Sequence, residues 1–140
     1  MMFKDIKLQI TNPEVGRIIA LAAFEGSEEG VAKEAAKYIS SDALHFFGWV
    51  DDDKILGICG FEVHEDKVEI HLISVAKEHH HKGIGVAMIT ALESKYHLPI
   101  EAETDDDAVG FYRRCGFETK AFKHAKWGVP RHTCVLNGKN

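Results

Sequence analysis

The sequence has 140 residues, of which 45% are hydrophobic and 28% are charged, and its formal net charge is −5. This length is typical of one domain covering residues 1–140, and such a chain can fold without a disulfide or a metal. The acidic balance and the lack of a basic cluster argue against a nucleic-acid partner. No apolar run is long enough to cross a membrane.

The start of the chain and the cysteines both indicate a reducing compartment. The stretch Met1–Asp5 lacks the long apolar run of a secretory signal. The three cysteines, Cys59, Cys115 and Cys134, are odd in number and widely spaced. This pattern fits neither a disulfide framework nor a zinc site. We therefore expect a cytoplasmic protein.

The first forty residues predict a strand and two helices. Apolar and polar residues alternate over Phe3–Ile10, as in a half-buried strand. Asn12-Pro13 then supplies a capping side chain and a proline suited to the first helical position. The helix after it and a second helix, Glu28–Ile39, should turn these residues inward: Val15, Ile18, Ile19 and Ala22, then Val31, Ala35, Tyr38 and Ile39.

The middle of the chain predicts three strands joined by short turns. They are Leu44–Val50, Ile55–His64 and Lys67–Ala76, with turns at Asp51–Lys54 and at Glu65-Asp66. Strands connected in this way pair antiparallel, so we expect a meander.

The rest of the chain alternates helices and strands. Apolar residues repeat at helical spacing over Gly83–Tyr96, and a short strand, Pro99–Glu103, follows. Because a helix crossover separates this strand from Lys67–Ala76, the two should pair in parallel. A helix at Asp106–Cys115, ended by Gly116-Phe117, precedes a final strand pair, Glu118–Lys123 and His132–Leu136. The prediction is a mixed α/β fold with one central sheet and about four helices.

The junction between the third meander strand and the long helix is suited to an anion. It reads His80-His81-Lys82-Gly83-Ile84-Gly85. Glycines let the backbone approach a phosphate, and the first helical N–H groups point at it without intrahelical partners. The spacing is not that of a P-loop, and Met88 stands where a dinucleotide fingerprint needs its third glycine.

A second block, about twenty residues further on, indicates which class of phosphate-bearing ligand this junction binds. It reads Asp105-x-x-Ala108-x-x-Phe111-Tyr112-x-x-x-Gly116-Phe117. The two blocks together resemble the GCN5-related N-acetyltransferase superfamily. Its acyl-CoA loop, Arg/Gln-x-x-Gly-x-Gly/Ala, aligns with His80-x-x-Gly83-x-Gly85. The chain departs from the family at His80 and at Asp105, which replaces asparagine.

The resemblance implies acetyl-CoA as cosubstrate, with its pyrophosphate on the backbone N–H groups from His81 to Val86 and Lys82 at the rim. Its pantetheine arm would lie along the strand edge at Leu72–Ala76. The cofactor-binding residues implied in this way are Ile73, Val75, His80, His81, Lys82, Gly83, Ile84, Gly85, Val86, Asp105, Phe111 and Tyr112.

The resemblance also implies transfer of an acetyl group to a primary amine by direct attack. Such a step needs a deprotonated amine, a stabilised oxyanion and a proton for the departing thiolate. Tyr112 occupies the family position of the acid, and Glu69 is the leading candidate for the base. His71 lies on the same strand face, two residues on, and is the alternative base.

The histidine run at His79–His81 raises the question of a metal. Consecutive side chains in a loop diverge, and no CxxC or HExxH accompanies them, so we expect no metal site. A polar, titratable lip at the cofactor mouth is the preferred interpretation. A non-catalytic acyl-CoA-binding module and a binder of another phosphate ligand remain the competing functions.

The resemblance implies a small-molecule or peptide amine as the acceptor, without identifying it. In the superfamily its specificity lies in segments that correspond here to Glu14–Ser41 and Lys123–Arg131. Their acidic residues and Trp127 slightly favour a small cationic amine over a peptide. The assembly state, including a homodimer, is left open.

Overall fold

The computed structural model describes residues 1–22, 26–124 and 126–137. This part of the chain holds seven strands and four α-helices. The strands are β1 (Met2–Asp5), β2 (Leu44–Asp51), β3 (Lys54–Val63), β4 (Val68–Val75), β5 (Ile100–Thr104), β6 (Glu118–Lys123) and β7 (Pro130–Leu136). The helices are α1 (Pro13–Ala20), α2 (Glu28–Ile39), α3 (Ile84–Tyr96) and α4 (Val109–Arg114).

All seven strands form one sheet in the order β1-β2-β3-β4-β5-β7-β6. The predicted meander is confirmed, since β2, β3 and β4 pair antiparallel. The predicted parallel pair is confirmed too, because β4 and β5 run side by side at Val68–Ile70 and Ile100–Ala102. The last two strands pair with each other as expected, and β7 inserts between β5 and β6.

The sheet separates two hydrophobic clusters. One includes Ile84, Met88 and Leu92 of α3 with Val109 and Tyr112 of α4. The other includes residues of α1 and α2 on the opposite side, among them Val15, Ile18, Ile19, Ala35 and Tyr38. The predicted cap of α1 is confirmed, since the Asn12 side chain accepts a hydrogen bond from the Glu14 N–H. In α2 the Ser27 side chain has the same role and accepts from the Gly30 N–H.

Two residues expected to point inward do not. Ile39 is 59% exposed, because it is the last residue of α2 and lies beyond the part of the helix that faces the sheet. Ala22 is exposed because α1 ends at Ala20, two residues earlier. Val31 is half-buried against the α1/α2 cluster.

The first predicted strand is too long. The observed strand β1 ends at Asp5, and Lys7–Gln9 forms a 3-10 turn. The Asp5 carboxylate accepts a hydrogen bond from the Lys7 N–H at 2.9 Å, which turns the chain away from the sheet. Ile6 and Ile10 are therefore buried, while Leu8 between them is fully exposed.

The helix predicted over Asp106–Cys115 begins later, at Val109. The Asp105 carboxylate accepts from the Ala108 N–H at 2.9 Å, so a hydrogen-bonded turn occupies the predicted first turn. The predicted end is confirmed. Gly116 has a φ of +92°, and the buried ring of Phe117 packs 5.2 Å from that of Tyr112. Within the described ranges, no helix combines the length and apolar character needed to cross a membrane.

Candidate active site

The central feature of the site is a gap between β4 and β5. Their parallel pairing stops at Ile70 and Ala102. At the same point β4 has an irregular register with β3, because Phe61 pairs with Ile70 and Gly60 pairs with Leu72, which leaves His71 as an extra residue. From Leu72 onward β4 pairs with β3 but not with β5, and a cavity of about 900 Å³ opens there.

The cavity joins the two sequence blocks. It is lined by the end of β4, the loop before α3, the first turn of α3 and the segment from β5 into α4. Eleven of the predicted cofactor residues line it: Ile73, Val75, His80, His81, Gly83, Ile84, Gly85, Val86, Asp105, Phe111 and Tyr112. Lys82 and Glu69 are not among the described lining residues, whereas His71 is.

We name residues 80–86 the phosphate loop. His81 and Gly83 both have left-handed backbone conformations, with φ of +64° and +79°. Gly83 precedes the first residue of α3 and has no side chain that could cap the helix. The N–H groups of the first helical turn therefore have no intrahelical partner, and the residues of this turn, Ile84 to Val86, line the cavity. Together with the positive end of the helix dipole, they suit a phosphate group.

Gly85 connects the two blocks physically. A Cβ atom built at this position would lie 2.6 Å from Cε1 and 2.9 Å from Cζ of Phe111. Such approaches are shorter than van der Waals contact, so a side chain at position 85 would displace the ring. The second glycine of the loop is thus required by the aromatic residue of the second block.

His80, the departure from the family motif, has a local partner. Its Nε2 lies 2.8 Å from the Val75 carbonyl oxygen, to which it donates as the Nε2–H tautomer. This bond ties the phosphate loop back to the end of β4. Lys82 lies on the outside of the loop, where its ammonium donates to Nδ1 of His79 at 3.2 Å.

The three consecutive histidines contribute to the cavity wall. His79, His80 and His81 all line the cavity, and the rings of His80 and His81 are 6.3 Å apart. Nε2 of His79 is buried and has no hydrogen-bond partner within the described ranges.

Tyr112 is placed to meet a ligand deep in the cavity. The residue is 6% exposed and lies between the rings of Phe111 and Phe117, each 5.2 Å away. Burial, with smaller contributions from Cys59, Cys134 and Cys115, raises the pKa of its phenol. The phenol therefore stays neutral and able to donate a proton at physiological pH. In the described part of the chain its hydroxyl has no hydrogen-bond partner.

Asp105 lines the cavity, but its side chain already accepts a hydrogen bond from the backbone. The carboxylate holds the turn before α4 through the Ala108 N–H, and the residue is exposed. Sequence reasoning missed two cations at the same mouth, Arg114 and Arg131. Arg131 is paired with Glu103 at 3.2 Å, whereas Arg114 is exposed beside Gly110.

Glu69 lies in a group of four side chains that we name the Glu/His cluster: Glu62, His64, Glu69 and His71. Oε1 of Glu69 is 3.0 Å from Nε2 of His64 and 4.0 Å from Nε2 of His71. Oε1 of Glu62 is 3.2 Å from Nε2 of His71. The sequence prediction included Glu69 and His71 but not their partners. The signal for Glu62 is its place directly across the hairpin from Glu69.

His71 belongs to two cavities. The second has a volume of about 470 Å³ and is lined by α2, the segment leading into β2, and the end of β3. Its charged wall residues are Glu62 and the ion pair of Glu34 with Lys37, whose atoms are 2.7 Å apart. His71 therefore marks where the space beside α2 meets the gap between β4 and β5.

The predicted acceptor segments lie only partly within the described residues. Glu14–Ser41 includes residues 23–25, and Lys123–Arg131 includes residue 125, all outside the described ranges. Leu21 and Ala22, just after α1, do line the main cavity. Trp127 is 66% exposed and its ring stacks on that of His124 at 4.5 Å.

Comparison with known proteins gives matches in both sequence and structure. Residues 13–117 match the profile of the acetyltransferase (GNAT) family. A relative from Bacillus methanolicus, described as an uncharacterized N-acetyltransferase in the lysA 3′ region, is 31% identical over 101 residues. The alignment covers 69% of this chain and 83% of the relative.

Two solved structures share the fold at low identity. An aminoglycoside 6′-N-acetyltransferase complexed with coenzyme A superposes with a TM-score of 0.81 at 15% identity, over 100% of this chain and 98% of that chain. A spermidine N-acetyltransferase from Vibrio cholerae gives a TM-score of 0.69 at 17% identity, over 99% and 95%.

Proposed function

The chain belongs to the GNAT acetyltransferase family, and on that premise we propose that it transfers the acetyl group of acetyl-CoA to a primary amine of a small cationic molecule. The observation that carries this proposal is the single cavity in which the phosphate loop, the free edge of β4 and the Tyr112 hydroxyl meet. A thioester cosubstrate with a pyrophosphate at its far end needs these three features together.

The cosubstrate would be held mainly by backbone groups. The N–H groups from His81 to Val86 would bind the pyrophosphate, and the pantetheine arm would follow β4 at Ile73 and Val75, where β5 has left. Arg114, exposed at the mouth, is placed to add positive charge for a phosphate. The thioester supplies the activated acetyl group.

Tyr112 is the proposed general acid. Its phenol is neutral because burial raises its pKa, and the residue lines the main cavity. It can therefore donate to the sulfur as the thiolate leaves. Donation by a side chain positioned in this way is worth about 10²-fold to 10⁴-fold in rate.

Glu69 is the proposed base, acting through a water molecule. A relay is needed because Glu69 is not among the residues that line the main cavity, while His71 stands at the wall between the two cavities. A water beside His71 would lie within reach of the carboxylate, which is 4.0 Å from Nε2 of His71. His71 taking the proton directly is the alternative.

The second cavity is the proposed entrance for the acceptor. Glu34 in its wall is paired with Lys37 at 2.7 Å. Glu62 is therefore the acidic wall residue that would favour a cation, and His71 lines both this cavity and the main one. The names of two structural neighbours, acting on an aminoglycoside and on spermidine, support an acceptor that carries several amines.

An amine panel tests the proposal. Purified protein and acetyl-CoA are incubated with spermidine, an aminoglycoside, a lysine peptide and a peptide with a free N-terminus, and acetylated products are identified by mass spectrometry. We expect faster transfer to spermidine and to the aminoglycoside than to either peptide. Thermal stabilisation by acetyl-CoA with no product from any amine would favour the non-catalytic module, and stabilisation by ATP in its place would favour another phosphate ligand.

A further inference from the structure

The hairpin of β3 and β4 repeats a short motif on its two arms. Glu62-Val63-His64 lies on the first arm and Glu69-Ile70-His71 on the second. Residues two apart on a strand share a face, and Glu62 is directly opposite Glu69 in the register. The repeat therefore brings two carboxylates and two imidazoles together on one face of the sheet.

The distances within this Glu/His cluster match those between the ligands of one metal ion. Ligand atoms of Glu62, Glu69 and His71 all lie within 4.8 Å of one another. Nε2 of His71 is 3.2 Å from Oε1 of Glu62 and 4.0 Å from Oε1 of Glu69. In a tetrahedral zinc site with bonds of about 2.0–2.1 Å, neighbouring ligand atoms are about 3.4 Å apart.

His64 lies outside this set of mutually close ligand atoms and contacts the carboxylates from another side. Its Nε2 is 3.0 Å from Oε1 of Glu69 and 3.9 Å from Oε2 of Glu62. The two contacts of His71 thus bracket the ligand spacing of a tetrahedral site, and the hydrogen bond from His64 orients Glu69 from outside. All four side chains are between 30% and 41% exposed, so an ion can reach them from solvent.

We propose that Glu62, Glu69 and His71 form a binding site for a divalent ion of the zinc type, with His64 as the outer hydrogen-bond partner of Glu69. Two carboxylates placed directly opposite each other in a sheet repel, and a shared cation removes that repulsion. Imidazole together with carboxylate is a donor set for zinc, whereas magnesium and calcium prefer oxygen alone.

The position of the site gives it a consequence for activity. The cluster includes the proposed base, Glu69, and His71, which borders both cavities. A bound ion would hold both side chains and keep Glu69 from accepting a proton. Zinc should therefore inhibit acetyl transfer, and this consequence alone rests on the proposed function.

The test is a direct measurement of zinc binding. Untagged full-length protein, freed of metal, is titrated with zinc chloride against a chromophoric chelator, with magnesium in excess. We expect one zinc per chain. Because loss of an outer partner of a metal ligand already weakens binding by about 10–100-fold, Glu62→Gln and His64→Gln should each weaken it at least tenfold.

Two control variants separate this site from other histidines. His97→Asn changes an exposed histidine at the end of α3, whose φ is +54°, and should bind zinc like the wild type. A His80→Gln/His81→Gln double variant removes most of the loop run and should also keep the zinc. Circular dichroism shows whether each variant is folded, and the two cluster variants provide independent tests.

Three results would overturn the site: no zinc binding below millimolar concentration, retention of binding in both cluster variants, or its loss in the loop variant. Zinc bound with the expected ligand dependence by a protein that acetylates no amine would leave the site intact and refute the proposed function. Amine acetylation without zinc binding would refute the zinc site and leave the proposed function intact.

Discussion

The phosphate loop and the Glu/His cluster lie at two ends of one site and are built by different means. The phosphate loop depends on backbone conformation, with His81 and Gly83 left-handed and Gly85 in contact with Phe111. The cluster depends on side chains that meet only because β3 and β4 pair in one register. Changes in the loop should therefore affect cosubstrate binding, whereas changes near the cluster should affect proton transfer.

The largest expected effect comes from Tyr112, which lines the main cavity. Tyr112→Phe removes the hydroxyl while keeping the ring between Phe111 and Phe117. Turnover should fall about 100-fold or more, as for loss of a general acid, with acetyl-CoA affinity nearly unchanged. Steady-state kinetics and calorimetric titration measure the two quantities. Unchanged turnover would remove the acid role.

The next effect distinguishes the two base candidates. Glu69→Gln should lower turnover about 10–100-fold while leaving acetyl-CoA affinity unchanged, since the carboxylate does not line the main cavity. If His71 only borders the water that carries the proton, His71→Gln should lower turnover by a smaller factor than Glu69→Gln. A larger loss in His71→Gln than in Glu69→Gln would assign the base to His71.

Gly85 tests the link between the loop and the second block. Gly85→Ala places a methyl group against the Phe111 ring and should weaken acetyl-CoA binding about tenfold, because the first turn of α3 must shift. Adding Phe111→Leu should restore part of the affinity, which a double-mutant cycle measures. Gly83→Ala is the comparison, since open space surrounds it and its φ of +79° alone is strained. It should cost about 1–2 kcal/mol of stability in chemical denaturation.

A smaller effect is expected at His80. His80→Ala removes the hydrogen bond to the Val75 carbonyl and should weaken acetyl-CoA binding about two- to fivefold. Lys82→Ala, on the outer side of the loop, should change affinity less than twofold. A greater loss in Lys82→Ala would show that the lysine, rather than the histidine, supports the phosphate.

The smallest effect is one that should be missing. Burial raises the pKa of Tyr112 above its ordinary value of about 10, so the phenol stays protonated across the usual alkaline range. The rate at saturating substrate should therefore show no alkaline decline due to Tyr112 below pH 10. A decline between pH 8 and 9.5 that disappears in Tyr112→Phe would contradict this assignment.

The difference between the two regions also explains what the sequence predicts well. The phosphate loop and the end of α4 require glycine at fixed spacing, and such requirements are visible in a linear pattern. The hairpin, the parallel pair and the cap at Asn12 are likewise local. The insertion of β7 between β5 and β6 depends on tertiary packing, and the sequence pattern of the last two strands does not predict it.

The errors have similar causes. Alternation over Phe3–Ile10 resembles a strand, but the Asp5 side chain competes for the backbone and turns the chain. The Glu/His cluster was only half predicted, because contact between Glu62 and His71 depends on the register and on the extra residue at His71. The repeated Glu-x-His becomes informative only once the hairpin is aligned.

The most direct test of the central claim is one assay that counts both products of the reaction. Wild type and Tyr112→Phe are mixed with acetyl-CoA and spermidine, and free thiol and acetylated amine are measured in the same samples. We predict equal amounts of the two products from the wild type, and at least about 100-fold slower formation of both by the variant. Thiol released without acetylated amine, or equal rates in the two proteins, would contradict the account.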